Sequence, residues 1–204
     1  MYLKTIPSII QRKLSKAIWS LPGNNSVYLT FDDGPSESTR DLLSIFAQKD
    51  ARASFFCTGE QVEKHPKMIE IMRSKGHYVA NHGQLHLDGW KTSTSDYLKN
   101  AEAGYLVTES NSFRPPYGRM TPKQWSRLSK RFRIIMWSIM PGDFKSEVSS
   151  YDCLTTILDH LKDGSIVVLH DNDRFVSKSI EILPELIDRI KEKGFRIEAL
   201  PFNS

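Results

Sequence analysis

The chain has 204 residues, which is one domain by length and enough to bury a sizeable core. Hydrophobic residues make up 39% and charged residues 25%, a globular composition that excludes disorder. The net charge of +4, with no long Lys/Arg run, fits an ordinary solvated surface and argues against a nucleic-acid partner.

In chain order, the first stretch is Met1 to Leu21. Ile9, Ile10, Leu14, Ile18 and Leu21 recur at helical spacing, interrupted by Lys4, Arg12, Lys13 and Lys16. Residues 1–25 are therefore read as a helical extension packed on a domain of residues 26–204. No uninterrupted apolar core or small-residue cleavage site marks a signal peptide, and no segment approaches the ~20 apolar residues of a membrane span. The expectation is a cytoplasmic or membrane-peripheral chain. The two cysteines, Cys57 and Cys153, make no disulfide framework and read as buried hydrophobes.

From Ser26 onward, short apolar runs alternate with amphipathic stretches. Strands are predicted over 27–31, 53–57, 77–80, 112–114, 134–138, 166–169 and 195–199. Helices are predicted over 38–49, 60–75, 95–109, 121–130, 150–162 and 177–193. Seven strands separated by helices predict an α/β fold on a parallel sheet, closed as a barrel or open and doubly wound. Both closures place function at the carboxyl ends of the strands.

Ionisable residues collect at those ends. Asp32 and Asp33 end the first strand, His82 and His86 follow the third, and Arg114 ends the fourth. Asp143 follows the fifth, and His170 and Asp171 follow the sixth. Two histidines with three residues between them can meet at one point from a helical turn or from a loop, and two His with one carboxylate is a common zinc set. Asp32 and Asp33 are adjacent on an extended strand, so their side chains should diverge, one binding metal and the other facing water. Arg114 should pair with a carboxylate, and His170 could donate a proton. His65, His77 and His160 read as structural. Trp90, Trp125 and Trp137 are candidates for stacking on sugar rings but read first as core or rim packing.

The runs Leu29-Thr30-Phe31-Asp32-Asp33-Gly34-Pro35, Asn81-His82-x-x-x-His86, Arg114-Pro115-Pro116-Tyr117-Gly118, Trp137 to Phe144, and Leu169-His170 resemble the motifs of the polysaccharide deacetylases with a NodB-homology domain. They occur in the family's order, from about Ser26 to Leu200. The resemblance implies a distorted (β/α)7 barrel that removes acetyl groups from a glycan. It implies one divalent ion, zinc first and cobalt, nickel or iron as alternatives, on Asp33, His82 and His86. It implies Asp32 as general base, Arg114 orienting it, Tyr117 N–H on the oxyanion, Leu169 beside the acetyl methyl, and His170 as general acid.

Two departures accompany the match. Gly83 stands where the second motif usually carries Ser or Thr. The fourth motif, usually Asp-x-x-Asp-Trp, reads Met140-Pro141-Gly142-Asp143-Phe144. One carboxylate is thus missing, and Asp143 must serve either Arg114 or His170. A His170 left without its carboxylate would titrate lower and make a weaker acid at neutral pH. Three readings follow: an N-deacetylase of chitin-like or peptidoglycan glycans, an O-acetyl esterase on xylan-like glycans, and a metal-binding carbohydrate-binding protein without turnover.

Overall fold

The computed structural model describes residues 4–202. The first three residues of the N-terminal extension and the last two of the expected domain lie outside it. The elements in order are α1 (Ser8–Lys13), β1 (Ala17–Ile18), β2 (Ser26–Asp32), α2 (Thr39–Gln48), β3 (Ser54–Cys57), α3 (Gly59–Lys64), α4 (Met68–Ser74), β4 (Tyr78–Asn81) and α5 (Thr94–Thr108). They continue with β5 (Ser112–Phe113), α6 (Pro122–Leu128), β6 (Arg133–Ile135), α7 (Ser150–His160), β7 (Ile166–His170), α8 (Val176–Glu192) and β8 (Arg196–Ile197).

The sheet runs β1-β6-β5-β4-β3-β2-β7, with β8 pairing beside β2. Every strand pair is parallel. A further parallel bridge joins Ile139, just beyond β6, to Val167 of β7. That bridge brings the two sides of the curled sheet together, giving the distorted (β/α)7 barrel. All seven expected strands are present.

Strands β2 and β7 are buried on both faces, which is why they read as continuous apolar runs. Val27, Leu29 and Phe31 pack outward with Val167 and Leu169 against Leu42, Phe46, Leu183 and Ile187 of the helices. Tyr28, Ile166 and Val168 point the other way, among Phe56, Phe113 and Trp137. Helix starts follow local chemistry. Thr121 with Gln124, and Ser149 with Asp152, form reciprocal capping boxes at α6 and α7.

Two element predictions need correction. The N-terminal helix ends at Lys13, and Ala17–Ile18 instead pair with Ile134–Ile135 as an edge strand. Ile10, Leu14, Ile18 and Leu21 do pack on the barrel interior, whereas Ile9 is exposed. The helix expected over 60–75 is two helices, because the residue before Pro66 is steered out of the α region. No helix among the described residues is long and apolar enough to cross a membrane.

Candidate active site

Five strand ends supply the site. At β2 the chain leaves extended geometry abruptly, since Asp33 has a left-handed φ of 76°. This turn corrects the expectation that Asp32 and Asp33 diverge. His82 Nε2 lies 4.0 Å from Asp32 Oδ2 and 3.5 Å from Asp33 Oδ1, so both carboxylates face one imidazole. Each is nonetheless held by a different partner.

Asp32 is held by Arg114. The guanidinium is fully buried, with Nη1 donating to Asp32 Oδ1 at 2.6 Å and to Thr30 Oγ1 at 2.7 Å. Its other nitrogens donate to the carbonyls of Ile135 (3.3 Å) and Met136 (3.0 Å), and it stacks 3.8 Å from the Phe56 ring centroid. Arg114 is therefore satisfied by one carboxylate, a hydroxyl and two carbonyls. Among the described residues it draws on no second acid.

Asp33 is held from the other side. Asn172 Nδ2 donates to Asp33 Oδ2 at 2.8 Å, leaving Oδ1 turned toward His86 Nε2 at 3.1 Å and His82 Nε2 at 3.5 Å. Oδ1 is buried and has no hydrogen-bond partner among the described residues. His82 Nδ1 sits 2.8 Å from the Arg114 carbonyl, which places its proton there and leaves Nε2 as an acceptor. The donor atoms of Asp33, His82 and His86 all lie within 4.8 Å of one another. A buried carboxylate oxygen without a donor, facing two imidazole nitrogens, is the arrangement a divalent cation would complete. The donor set of two nitrogens and one oxygen fits such an ion.

The two histidines reach this point from a loop, not a helical turn. Asn81 Oδ1 accepts from Gly83 N at 2.7 Å, and Asn100 of α5 bridges Leu85 through both its amide groups, at 2.7 and 2.9 Å. Gly83 has φ +85°, and a Cβ there would come within 2.5 Å of Asn100 Nδ2. Asn100 thus occupies the space of the missing hydroxyl and stiffens the ligand loop itself. The turn after β2 is pinned similarly. Asp171, fully buried, accepts from Ser36 Oγ (2.8 Å) and Thr39 Oγ1 (2.7 Å). Its carboxylate approaches Gly34 too closely to admit a Cβ. Burial raises the Asp171 pKa to about 6, against the opposing pull of those hydroxyls.

Across the site, Asp143 serves His170. Its Oδ1 is 2.9 Å from His170 Nδ1 and its Oδ2 accepts from the His170 backbone N–H at 2.8 Å. Burial alone would lower the His170 pKa. Asp143, with smaller contributions from Asp33 and Asp32, instead raises it to about 9. The Phe144 ring packs edge-on to His170, 5.1 Å between centroids. Tyr117 has a left-handed φ of 59°, and its ring packs 4.4 Å from that of His86. Leu169 is fully buried and packs outward against the helices, because neighbouring strand residues face opposite sides; this corrects the expectation that it lies beside the acetyl methyl. His77 is structural: its Nδ1 accepts from Ala53 N, and burial lowers its pKa to about 4.

Asn172, Asn100, Thr30, Ser36 and Thr39 are not singled out by the sequence, and it marks Asp171 only as a rim carboxylate, without its two hydroxyl partners. Asn172 follows His170 and Asp171 at the same strand end, so its position was the available signal.

A family model described as polysaccharide deacetylase matches residues 21–131, just over half of the chain. The chain belongs to the polysaccharide deacetylase family. A peptidoglycan-N-acetylglucosamine deacetylase of Bacillus cereus is 31% identical over 188 residues, covering 86% of this chain and 66% of the relative. A chitooligosaccharide deacetylase of Sinorhizobium fredii is 29% identical over 221 residues, covering 99% and 97%. The crystal structure of the Bc1960 peptidoglycan N-acetylglucosamine deacetylase superposes with a TM-score of 0.87 at 27% identity, covering 96% of this chain and 95% of that one. The barrel is thus that of the polysaccharide deacetylases, and the matched model takes in the strand ends that carry Asp32, Asp33, His82, His86 and Arg114.

Proposed function

We propose that this protein is a metal-dependent deacetylase that hydrolyses N-acetyl groups of amino-sugar glycans of the peptidoglycan or chitin-like class. One observation carries the proposal. The donor-less Asp33 Oδ1 meets His82 and His86 beside a carboxylate fixed by Arg114 and opposite a histidine fixed by Asp143. The names of the relatives above support the substrate class.

A divalent ion on Asp33, His82 and His86, zinc by its donors, would supply Lewis acidity for the acetyl carbonyl and the attacking water. Asp32, pinned through Oδ1 by Arg114, takes the proton of that water. Tyr117 N–H donates to the developing oxyanion. His170 gives its proton to the departing nitrogen. An amine leaves poorly unless protonated, and the Asp143 carboxylate on Nδ1 favours the charged form of His170, which suits an amide substrate. Retention of the Asp143–His170 pair speaks against the reading without turnover.

The test is acetate release from acetylated chitooligosaccharides, peptidoglycan and acetylated xylan by protein loaded with zinc or cobalt. Release from the first two, lost in Asp32→Asn, is expected. Release from xylan alone, or none with metal bound, refutes the proposal.

A further inference from the structure

Trp90 is 65% exposed, although its loop is held firmly. Gln124, fully buried at the start of α6, donates to the carbonyls of Gly89 (2.9 Å) and Thr92 (3.1 Å). Asp88 accepts from Trp90 N at 3.0 Å, and Trp90 Nε1 donates to the Met120 carbonyl at 3.3 Å. The Arg119 guanidinium lies over the indole, 4.8 Å from its centroid, and is itself tied to Asp88 at 2.7 Å. An exposed indole held in one orientation in this way is preorganised to stack on an apolar face.

The ring is continuous with the active site. Arg119 also lies over Tyr117, 5.6 Å from that centroid, and Tyr117, 58% exposed, packs against the metal-binding candidate His86. Trp90, Arg119 and Tyr117 therefore form one strip leading outward from His86. It offers exposed aromatic surface beside the charged and hydrogen-bonding Arg119 and Asp88. A pyranose ring matches that combination, with an apolar C–H face and hydroxyls around its edge.

We propose that Trp90 is the platform of an outlying sugar subsite, stacking on a pyranose unit of the same glycan chain whose acetyl group lies at Asp33, His82 and His86. The proposal rests on the deacetylase reading. Trp125 and Trp137 are partly or fully buried and do not share this role.

The experiment compares wild type, Trp90→Ala and Trp90→Phe, zinc-loaded, on N-acetylglucosamine oligomers from dimer to hexamer, each normalised to hydrolysis of an aryl acetate by the same variant. Expected is a KM penalty for Trp90→Ala that grows with chain length to about tenfold on the hexamer, with kcat retained and Trp90→Phe near wild type. A penalty equal at all lengths, or none, overturns the subsite. Hexamer binding to Asp32→Asn and to Asp32→Asn/Trp90→Ala, followed by calorimetry, reads the platform without turnover. Weaker binding by the second supports it even where no acetate is released, which would count against the deacetylase reading alone; equal binding overturns it. Sedimentation of Trp90→Ala identifies the remaining occupant: a dimer lost with sugar affinity intact makes the strip a self-association surface and refutes the proposal.

Discussion

Asp143 grips His170 at two points, one carboxylate oxygen on the imidazole Nδ1 and the other on the backbone N–H of the same residue. The ring is thereby fixed in place and its protonated form favoured. The acid that the altered fourth motif threatened to strand has kept its carboxylate.

The pH behaviour follows. In metal-free protein, His170 should titrate near 9 by NMR. Because this folded pKa is raised, the pair stabilises the fold fully below the unfolded value of about 6.5 and loses that contribution as pH rises through about 9. Asp143→Asn should move the titration several tenths of a unit or more downward and shift the alkaline limb of the pH–rate profile with it. An unmoved titration contradicts the assignment.

Arg114 tests the buried pair. Arg114→Leu leaves the Asp32 carboxylate without its counter-charge, and Thr30 Oγ1 and two carbonyls without a donor. A loss of about 3–5 kcal/mol in urea unfolding is expected, on the scale of breaking other buried pairs. Arg114→Lys should recover only part, since one ammonium cannot span all four acceptors.

Asn172 tests the ligand side. Asn172→Ala frees Asp33 Oδ2 while leaving all three ligands in place. Zinc affinity, measured against a competing chelator, should fall about 10–100-fold, the usual effect of losing a group that orients a ligand. Asp33→Ala should abolish binding outright, and dialysis against chelator should abolish acetate release until zinc is restored.

Gly83 gives the least intuitive expectation. Gly83→Ser restores the residue type usual at this motif position, yet here it should destabilise by about 1–2 kcal/mol. The positive φ strains any side chain, and Asn100 fills the space. Adding Asn100→Ala should recover part of the loss, a non-additivity visible in a double-mutant cycle of urea midpoints.

The seven strands and the rim residues were legible because buried parallel strands announce themselves as unbroken apolar runs, and charges that follow several of them mark one end. Asp33, His82 and His86 do come together, though from a loop and not the helical turn their spacing allows. Asn172, Asn100 and Thr30 stayed hidden because neutral polar residues serve many ordinary turns and caps, and only their partners reveal them. The edge strand at Ala17–Ile18 was lost in a helical pattern. Its apolar residues are buried by sheet contact as readily as by a helix face, so periodicity could not decide.

The bridge between Ile139 and Val167 ties the segment that carries Asp143 to the strand that carries His170. Asp143 rides on the segment leaving that bridge, and Lys178 fastens the same segment by donating to the carbonyls of Lys145 and Val148. The candidate ion-binding residues sit at the ends of β2 and β4, and β2 is the direct neighbour of β7. The two halves of the site meet at this pair of strands: Asp32 stands level with His170, and Asn172, just beyond β7, holds Asp33. A change at the seam would therefore reach His170 first, through Asp143, and Asp33 only through the shared end of β7.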